Sequence, residues 1–206
     1  MMPAHALLLR CPYCGAHKEV LNLLSGNTIG GHQWSDTKTF FPMLPRISPI
    51  QQCEVCGKYY FAADHIDGEW DDYSMKKGLL TYEQLKEARK QFLAEGYLAD
   101  TSKRLTMNLE LVKAYNDLYN RDNSEDLSAS FLPKEDRDFI DAVLDEIVND
   151  TEDVLVKAEM LRESGRFDES LSVLDSCTLE DDNLKSVADK IRERTSLHNS
   201  TAFLVY

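Results

Sequence analysis

The pattern of apolar residues changes about one third of the way along the chain. Before residue 70, apolar residues come in short runs near turn-forming residues, and segments 6–10 and 57–64 are typical of strands. From Thr81 onward, apolar residues recur every three or four positions, which predicts helices. The predicted fold class is therefore α+β, with a small β region over residues 1–70 and a helical region over residues 71–206.

Several amphipathic helices are predicted after residue 80. The first begins at Thr81, because Thr81-Tyr82-Glu83-Gln84 has the form of a capping box. A third helix begins near Pro133, since proline is favoured in the first turn, and a last helix covers residues 182–194. The apolar faces predicted for the first, second, third and last helices are Tyr82, Leu85, Ala88 and Phe92; Leu105, Leu109, Val112, Tyr115 and Tyr119; Phe139, Ile140, Val143, Leu144, Ile147 and Val148; and Leu184, Val187 and Ile191.

Residues 154–177 contain two short helical patterns around the turn Gly165–Glu169. Small residues stand at Ala158, Ser170 and Cys177. The segment resembles a tetratricopeptide (TPR) helical hairpin, and the resemblance implies that these residues lie where the two helices cross most closely, since small side chains let the backbones approach. Only one unit matches, and about three repeats are needed for a stable solenoid, so we expect a compact bundle with TPR-like packing. Cys177 is then expected to fill a small, buried packing position.

The charge of the chain is strongly acidic and unevenly distributed. The 206 residues carry a formal net charge of −13, with −1 in residues 1–70 and −12 in residues 71–206. A surface that binds nucleic acid needs clustered cations, so this balance argues against nucleic acid as a partner. Hydrophobic residues make up 43% of the chain, which is enough for a packed core.

Four of the five cysteines form two matching units, Cys11-Pro12-Tyr13-Cys14-Gly15 and Cys53-Glu54-Val55-Cys56-Gly57. In each unit a tight turn directs both sulfurs to one point, and the glycine provides the positive φ that closes the turn. Two such pairs supply the four thiolates of a tetrahedral metal site. The predicted metal ligands are therefore Cys11, Cys14, Cys53 and Cys56.

The first unit, CPYC, also has the form of a glutaredoxin redox motif. Ile29-Gly30-Gly31, followed by Asp36, looks like the element that holds glutathione in that family. In glutaredoxins, however, that element lies much farther downstream. A redox dithiol also has no need of a second C-x-x-C-G unit, whereas tetrahedral zinc does. We therefore favour the metal site.

The paired C-x-x-C-G units and the strands beside them resemble a zinc ribbon of the rubredoxin type, over about residues 5–65. The resemblance implies a structural zinc whose coordination positions are all filled by protein, with iron as the second choice of metal. His17 could replace one thiolate, although a surface histidine is the simpler interpretation. The whole arrangement is similar to small bacterial proteins that join a zinc ribbon to TPR-like helices, which implies metal binding and scaffolding without a reaction.

The segment between the two units is long enough to hold structure of its own. Residues 25–52 are predicted to form a hairpin followed by a stiff loop, because three prolines between residues 42 and 49 exclude a helix. Trp34, Phe41 and Met43 are either anchors for a partner or cover for the small metal region. The acidic stretch 63–72 is interpreted as a solvated linker between the two regions.

These features predict a zinc-binding protein that is not an enzyme, with a role in protein–protein interaction or scaffolding. A protein or peptide partner is expected. A rubredoxin-like or thiol redox protein and a nucleic-acid-binding zinc ribbon are the alternatives. No segment approaches the about 20 apolar residues of a membrane span, and reduced cysteines suit the cytoplasm. The apolar segment at residues 201–206 is expected to dock as an added strand on the ribbon.

Overall fold

The computed structural model describes residues 2–121 and 134–206, which form two compact units. The first unit comprises the chain up to Gly31 together with Phe40–Tyr97, and the second comprises His32–Thr39 and Leu98–Tyr206. Small antiparallel sheets occupy the N-terminal part and helices follow, so the predicted α+β class is confirmed.

The strands of the chain are short. In the first unit, strand order β3-β2-β9 forms one sheet, and β1 with β4 and β7 with β8 form two others. The acidic stretch predicted as a linker contains the edge strand β9, whose backbone pairs with β2. The strand bounds are Met2–Pro3 for β1, Leu7–Arg10 for β2, His17–Val20 for β3, Leu23–Ser25 for β4, His32–Gln33 for β5, Thr39–Phe40 for β6, Ile50–Gln52 for β7, Tyr59–Phe61 for β8 and Ile66–Glu69 for β9.

The first unit also contains helix α1, Tyr82–Ala94. The predicted capping box is present, with the Thr81 side chain and the Gln84 side chain each accepting from the other residue's backbone N–H. The buried face is the predicted one, and Phe92 stacks on Phe61 of β8 with ring centroids 4.7 Å apart. Helix α1 is thereby attached to the strand that follows the second cysteine unit.

Five helices are described in the second unit. Asp100, Asp153 and Asp181 each accept backbone hydrogen bonds at the start of a helix, which explains where α2, α4 and α6 begin. Pro133, predicted to begin the third helix, lies outside the described residues. The helix bounds are Thr101–Tyr119 for α2, Lys134–Asp150 for α3, Val154–Glu163 for α4, Phe167–Asp175 for α5 and Asp182–Ser196 for α6.

Two predicted helix faces are partly wrong. Helix α2 buries Met107 and Leu111, while Leu105 and Leu109 are only partly buried. The reason is that α2 also buries polar Asn108 and Asn116, which an apolar pattern does not count. In α6, Leu184 is 45% exposed, and the buried residues are Ala188, Ile191 and Thr195.

Helices α4 and α5 form the predicted hairpin, closed by the Gly165 turn. Ala158 and Ser170 are fully buried, and the Ser170 hydroxyl donates to the Ala158 carbonyl over 2.7 Å. Small side chains therefore do allow a close approach of these helices. The prediction for Cys177 is wrong, because this residue follows α5 and is only partly buried.

The apolar segment at residues 201–206 docks, but not where it was expected. Its backbone runs beside the segment at residues 33–35: the Ser35 N–H donates to the Phe203 carbonyl over 2.9 Å, and the Val205 N–H donates to the Gln33 carbonyl over 2.7 Å. The buried side chains of Phe203 and Val205 join a cluster formed by Ala158, Leu174, Ala188 and Ile191. The segment thus completes the helical unit.

The segment between the cysteine units has two parts with different roles. Residues 34–38 form a turn, in which the Trp34 N–H donates to the Lys38 carbonyl over 2.8 Å. Trp34 packs within the second unit, with the Arg121 guanidinium 4.8 Å from its ring centroid. Residues 42–49, which contain the three prolines, have no helix or strand, as predicted.

Candidate metal centre

The two cysteine units have the same backbone hydrogen bonds. In the first, the Cys11 N–H donates to the Ala16 carbonyl over 2.8 Å, and the Gly15 N–H donates to the Cys11 carbonyl over 2.9 Å. In the second, the Cys53 N–H donates to the Lys58 carbonyl over 2.8 Å, and the Gly57 N–H donates to the Cys53 carbonyl over 2.9 Å. Each unit is therefore a closed turn, and we call the turns at residues 11–16 and 53–58 the first and second knuckles.

Glycine closes both knuckles because the backbone requires a positive φ there. Gly15 has φ +75° and Gly57 has φ +73°, both in the left-handed region that favours glycine. No other atom lies within 4 Å of the position that a Cβ would occupy on Gly57. The requirement at Gly57 is consequently one of backbone conformation and not of space.

The structure brings the four predicted sulfur atoms together. The Sγ atoms of Cys11 and Cys56 are 3.7 Å apart, and those of Cys14 and Cys53 are 3.6 Å apart. All four atoms lie within 4.8 Å of one another. Tetrahedral zinc–thiolate bonds of about 2.3 Å place neighbouring sulfurs about 3.8 Å apart. The four side chains therefore fit a tetrahedral metal ion.

The cysteine thiols have different pKa values because they lie close to one another and to different backbone amides. Burial acts to raise the pKa of Cys53, but hydrogen bonds from the Cys56 and Val55 amides and from neighbouring thiols outweigh it and lower this pKa to about 7. The Ala16 amide acts to lower the pKa of Cys14, but desolvation and the other three cysteines raise it to about 12. Four thiolates at this spacing repel one another unless a cation lies between them.

His17 does not join the cysteine cluster. Its Nε2 lies 2.8 Å from the Asp67 carboxylate, so its side chain links β3 to β9 across the sheet. Among residues 2–121 and 134–206, the one group of three or more cysteine, histidine or acidic side chains suited to a metal ion is Cys11, Cys14, Cys53 and Cys56. The candidate site therefore has four protein ligands and no open position for a reacting water.

The sequence interpretation missed a buried polar cluster in the second unit. The Asn116 amide donates to the Asp36 and Glu163 carboxylates, each over 3.0 Å, and Arg121 donates to Asp36 over 2.7 Å. Beside them, Arg162 donates to Glu159 over 2.8 Å. Asp36, the residue that suggested a glutathione element, thus has its side chain in this cluster. Its position was not readable from the sequence, because each of these side chains resembles an ordinary surface group.

Glu163 is the residue of the polar cluster whose charge and hydrogen bonding are not fully matched by its neighbours. Three carboxylates and two guanidinium groups are buried there, and the Glu163 Oε1 has no hydrogen-bond partner within the described residues. Burial, followed by the nearby Glu159 and Asp36 carboxylates, raises the pKa of Glu163 well above its ordinary value. Burial and the neighbouring carboxylates therefore favour the neutral form of this side chain in the folded unit.

No protein-family model, curated protein or solved structure matches the chain. None of the helices in the described residues has the length and apolar character that crossing a bilayer requires.

Proposed function

We propose that the protein is a non-catalytic zinc-binding module for protein–protein interaction or scaffolding, with a structural zinc held by Cys11, Cys14, Cys53 and Cys56. The observation that carries the metal assignment is the spacing of the four sulfurs, 3.6 and 3.7 Å across the two knuckles. Zinc would neutralise the thiolates and join the two cysteine pairs, whose inner members Cys14 and Cys53 are separated by 38 residues of chain.

A structural role is favoured because protein side chains fill all four positions. A catalytic zinc keeps one position for water or substrate. The first unit also has a small core, in which Leu9, Val20 and Tyr60 pack with Cys11 and Cys53. A domain of this kind commonly depends on a metal, because its buried apolar surface alone is small.

The zinc assignment is tested by elemental analysis of protein purified without added metal. We expect one zinc per chain, and we expect the Cys14→Ser/Cys56→Ser double variant to lose it. Cys177→Ser is the matched control and should keep it. One iron per chain would instead favour the rubredoxin-like alternative, and no bound metal would overturn the proposal.

The interaction role is supported by the kind of scaffold that surrounds the metal site. The knuckles are similar to those of zinc ribbons, and α4 with α5 is similar to one TPR hairpin. The acidic net charge of −13 favours a protein or peptide partner over nucleic acid, and reduced cysteines suit a cytoplasmic protein. Affinity purification should recover one stoichiometric protein partner. Tight, salt-sensitive binding of DNA or RNA would favour the nucleic-acid alternative instead.

A further inference from the structure

Tyr13, one of the two residues between Cys11 and Cys14, is hydrogen-bonded to residues at the C-terminal end of helix α1. Tyr13, in the first knuckle, donates its hydroxyl hydrogen to the Glu95 carboxylate just after α1. The same hydroxyl accepts from the Gln91 Nε2 over 2.9 Å. The first knuckle is thus attached to the last turn of α1 at two positions.

Lys58 in the second knuckle and Tyr59 directly after it contact the same two residues, Gln91 in α1 and Glu95 at its end. The Gln91 side chain accepts from the Tyr59 N–H over 3.1 Å and donates to the Tyr59 carbonyl over 2.9 Å, as a neighbouring strand would. The Lys58 ammonium lies 3.8 Å from the Glu95 carboxylate and 5.8 Å from the Tyr13 ring centroid. Glu95 therefore contacts both knuckles, and Gln91 contacts the first knuckle and Tyr59, the residue directly after the second knuckle.

The positions of Gln91 and Glu95 explain how they can do this. They are four residues apart, at the end of one helix, and so stand one turn apart on the same face. The stacking of Phe92 on Phe61 fixes the helix against β8, directly after the second knuckle. The helix therefore presents both side chains from a fixed position.

We propose that Gln91 and Glu95 form a clamp that holds the two knuckles at the separation a metal ion requires, and that they raise metal affinity without touching the metal. This inference rests on the proposed metal site. The clamp lowers the freedom of the two cysteine pairs before the metal binds, so less order has to be gained on binding. By linkage, the metal in turn stabilises the docked end of α1.

Groups that hydrogen-bond to the metal ligands themselves commonly contribute 10- to 100-fold to metal affinity. Gln91 and Glu95 contact neighbours of the ligands and are partly exposed to solvent, so an effect at the lower end of that range is expected. Gln91→Ala removes the hydrogen-bonded contacts of this side chain with Tyr13, Tyr59 and Glu95, and should lower affinity about 10-fold. Tyr13→Phe and Glu95→Gln remove or weaken the contact with the first knuckle.

The test is competition between the full-length protein and a chromogenic chelator for zinc, together with the rate of zinc release. Glu83→Gln is the matched control, because Glu83 lies on the same helix and pairs only with Lys86 among the described contacts. We expect faster release and weaker binding for Gln91→Ala and Glu95→Gln, and wild-type values for Glu83→Gln. Tyr13→Phe and Glu95→Gln should be non-additive, because both act on the same Tyr13–Glu95 hydrogen bond.

A second measurement separates the clamp from a general loss of stability. Zinc should slow hydrogen exchange at residues 91–95 in the wild type and much less in Gln91→Ala. Equal zinc affinities and release rates for Gln91→Ala and Glu83→Gln would overturn the clamp and leave the metal site intact. Failure of the wild type to bind zinc would overturn both proposals.

Discussion

The Asp36 carboxylate accepts a hydrogen bond from the Arg121 guanidinium over 2.7 Å, and both side chains are almost completely buried. Asp36 comes from the segment between the two knuckles, whereas Arg121 follows α2. The Asn116 amide donates to the same carboxylate over 3.0 Å. This pair therefore attaches residues 32–39 to the helices of the second unit.

Removal of the Asp36 carboxylate should destabilise the second unit. Asp36→Ala leaves Arg121 buried with one remaining carboxylate partner, Asp117, so we expect a loss of about 3 kcal/mol in the free energy of unfolding. Urea unfolding followed by far-UV circular dichroism measures this. Asp175→Ala, which removes an exposed pair with Arg192, should change the value by less than about 1 kcal/mol. Equal effects of the two substitutions would contradict this prediction.

Glu163 should make the second unit less stable as the pH rises. Its pKa is raised in the folded state, so above the ordinary glutamate range the unfolded chain releases a proton that the folded unit keeps. Stability is then lost with rising pH at about 1.4 kcal/mol per pH unit until the folded pKa is reached. Glu159, Asp36 and Arg162 are the charged groups that surround it.

Glu163→Gln should remove that pH dependence, because a neutral amide has no proton to release. The variant should gain stability relative to the wild type as the pH is raised, as measured by urea unfolding at several pH values. Glu193→Gln, at an exposed position in α6, is the control and should follow the wild type. Parallel pH profiles for Glu163→Gln and the wild type would show that Glu163 is ionised when folded.

Two neighbouring residues near the end of the chain should respond very differently to truncation. Phe203 is 2% exposed and packs in the apolar cluster with Ala158, Leu174, Ala188 and Ile191, whereas Leu204 is 48% exposed. Phe203→Ala should cost about 3–5 kcal/mol through lost burial and a cavity. Leu204→Ala should stay within about 0.5 kcal/mol. Thermal unfolding of the two variants compares them directly, and similar losses would argue against the docked position of this segment.

Removal of the metal should affect the two units unequally. A chelator should unfold or loosen the first unit, because in such sites the free energy of metal binding is also free energy of folding. The second unit contains none of the four cysteines of the site, so its helices should remain. Hydrogen exchange resolved by peptide distinguishes the units. Faster exchange throughout α3–α6 after chelation would contradict this expectation.

The local features of this protein are readable from its sequence. The spacing of Cys11, Cys14, Cys53 and Cys56, with a glycine after each pair, indicates two matching turns, because both depend on backbone conformation over five residues. The face of α1 is likewise readable, since Thr81 sets where the helix begins and 3.6 residues per turn determine which side chains share a side. The α4–α5 hairpin follows from the same periodicity and from small residues at Ala158 and Ser170.

The tertiary structure decides which distant residues contact one another, and the spacing of residues in the sequence does not determine this. Asp36 and Arg121 are distant in the chain, and their burial depends on whether a partner is near, which no local pattern encodes. Residues 33–35 bind the segment at residues 203–205 because their backbone groups and an apolar cluster are both available there. Tyr13 contacts Glu95 only because Phe61 and Phe92 fix α1 beside the knuckles. Local sequence patterns thus determine the helices, the strands and the two cysteine turns, whereas long-range burial of charge and apolar surface determines which of them contact one another.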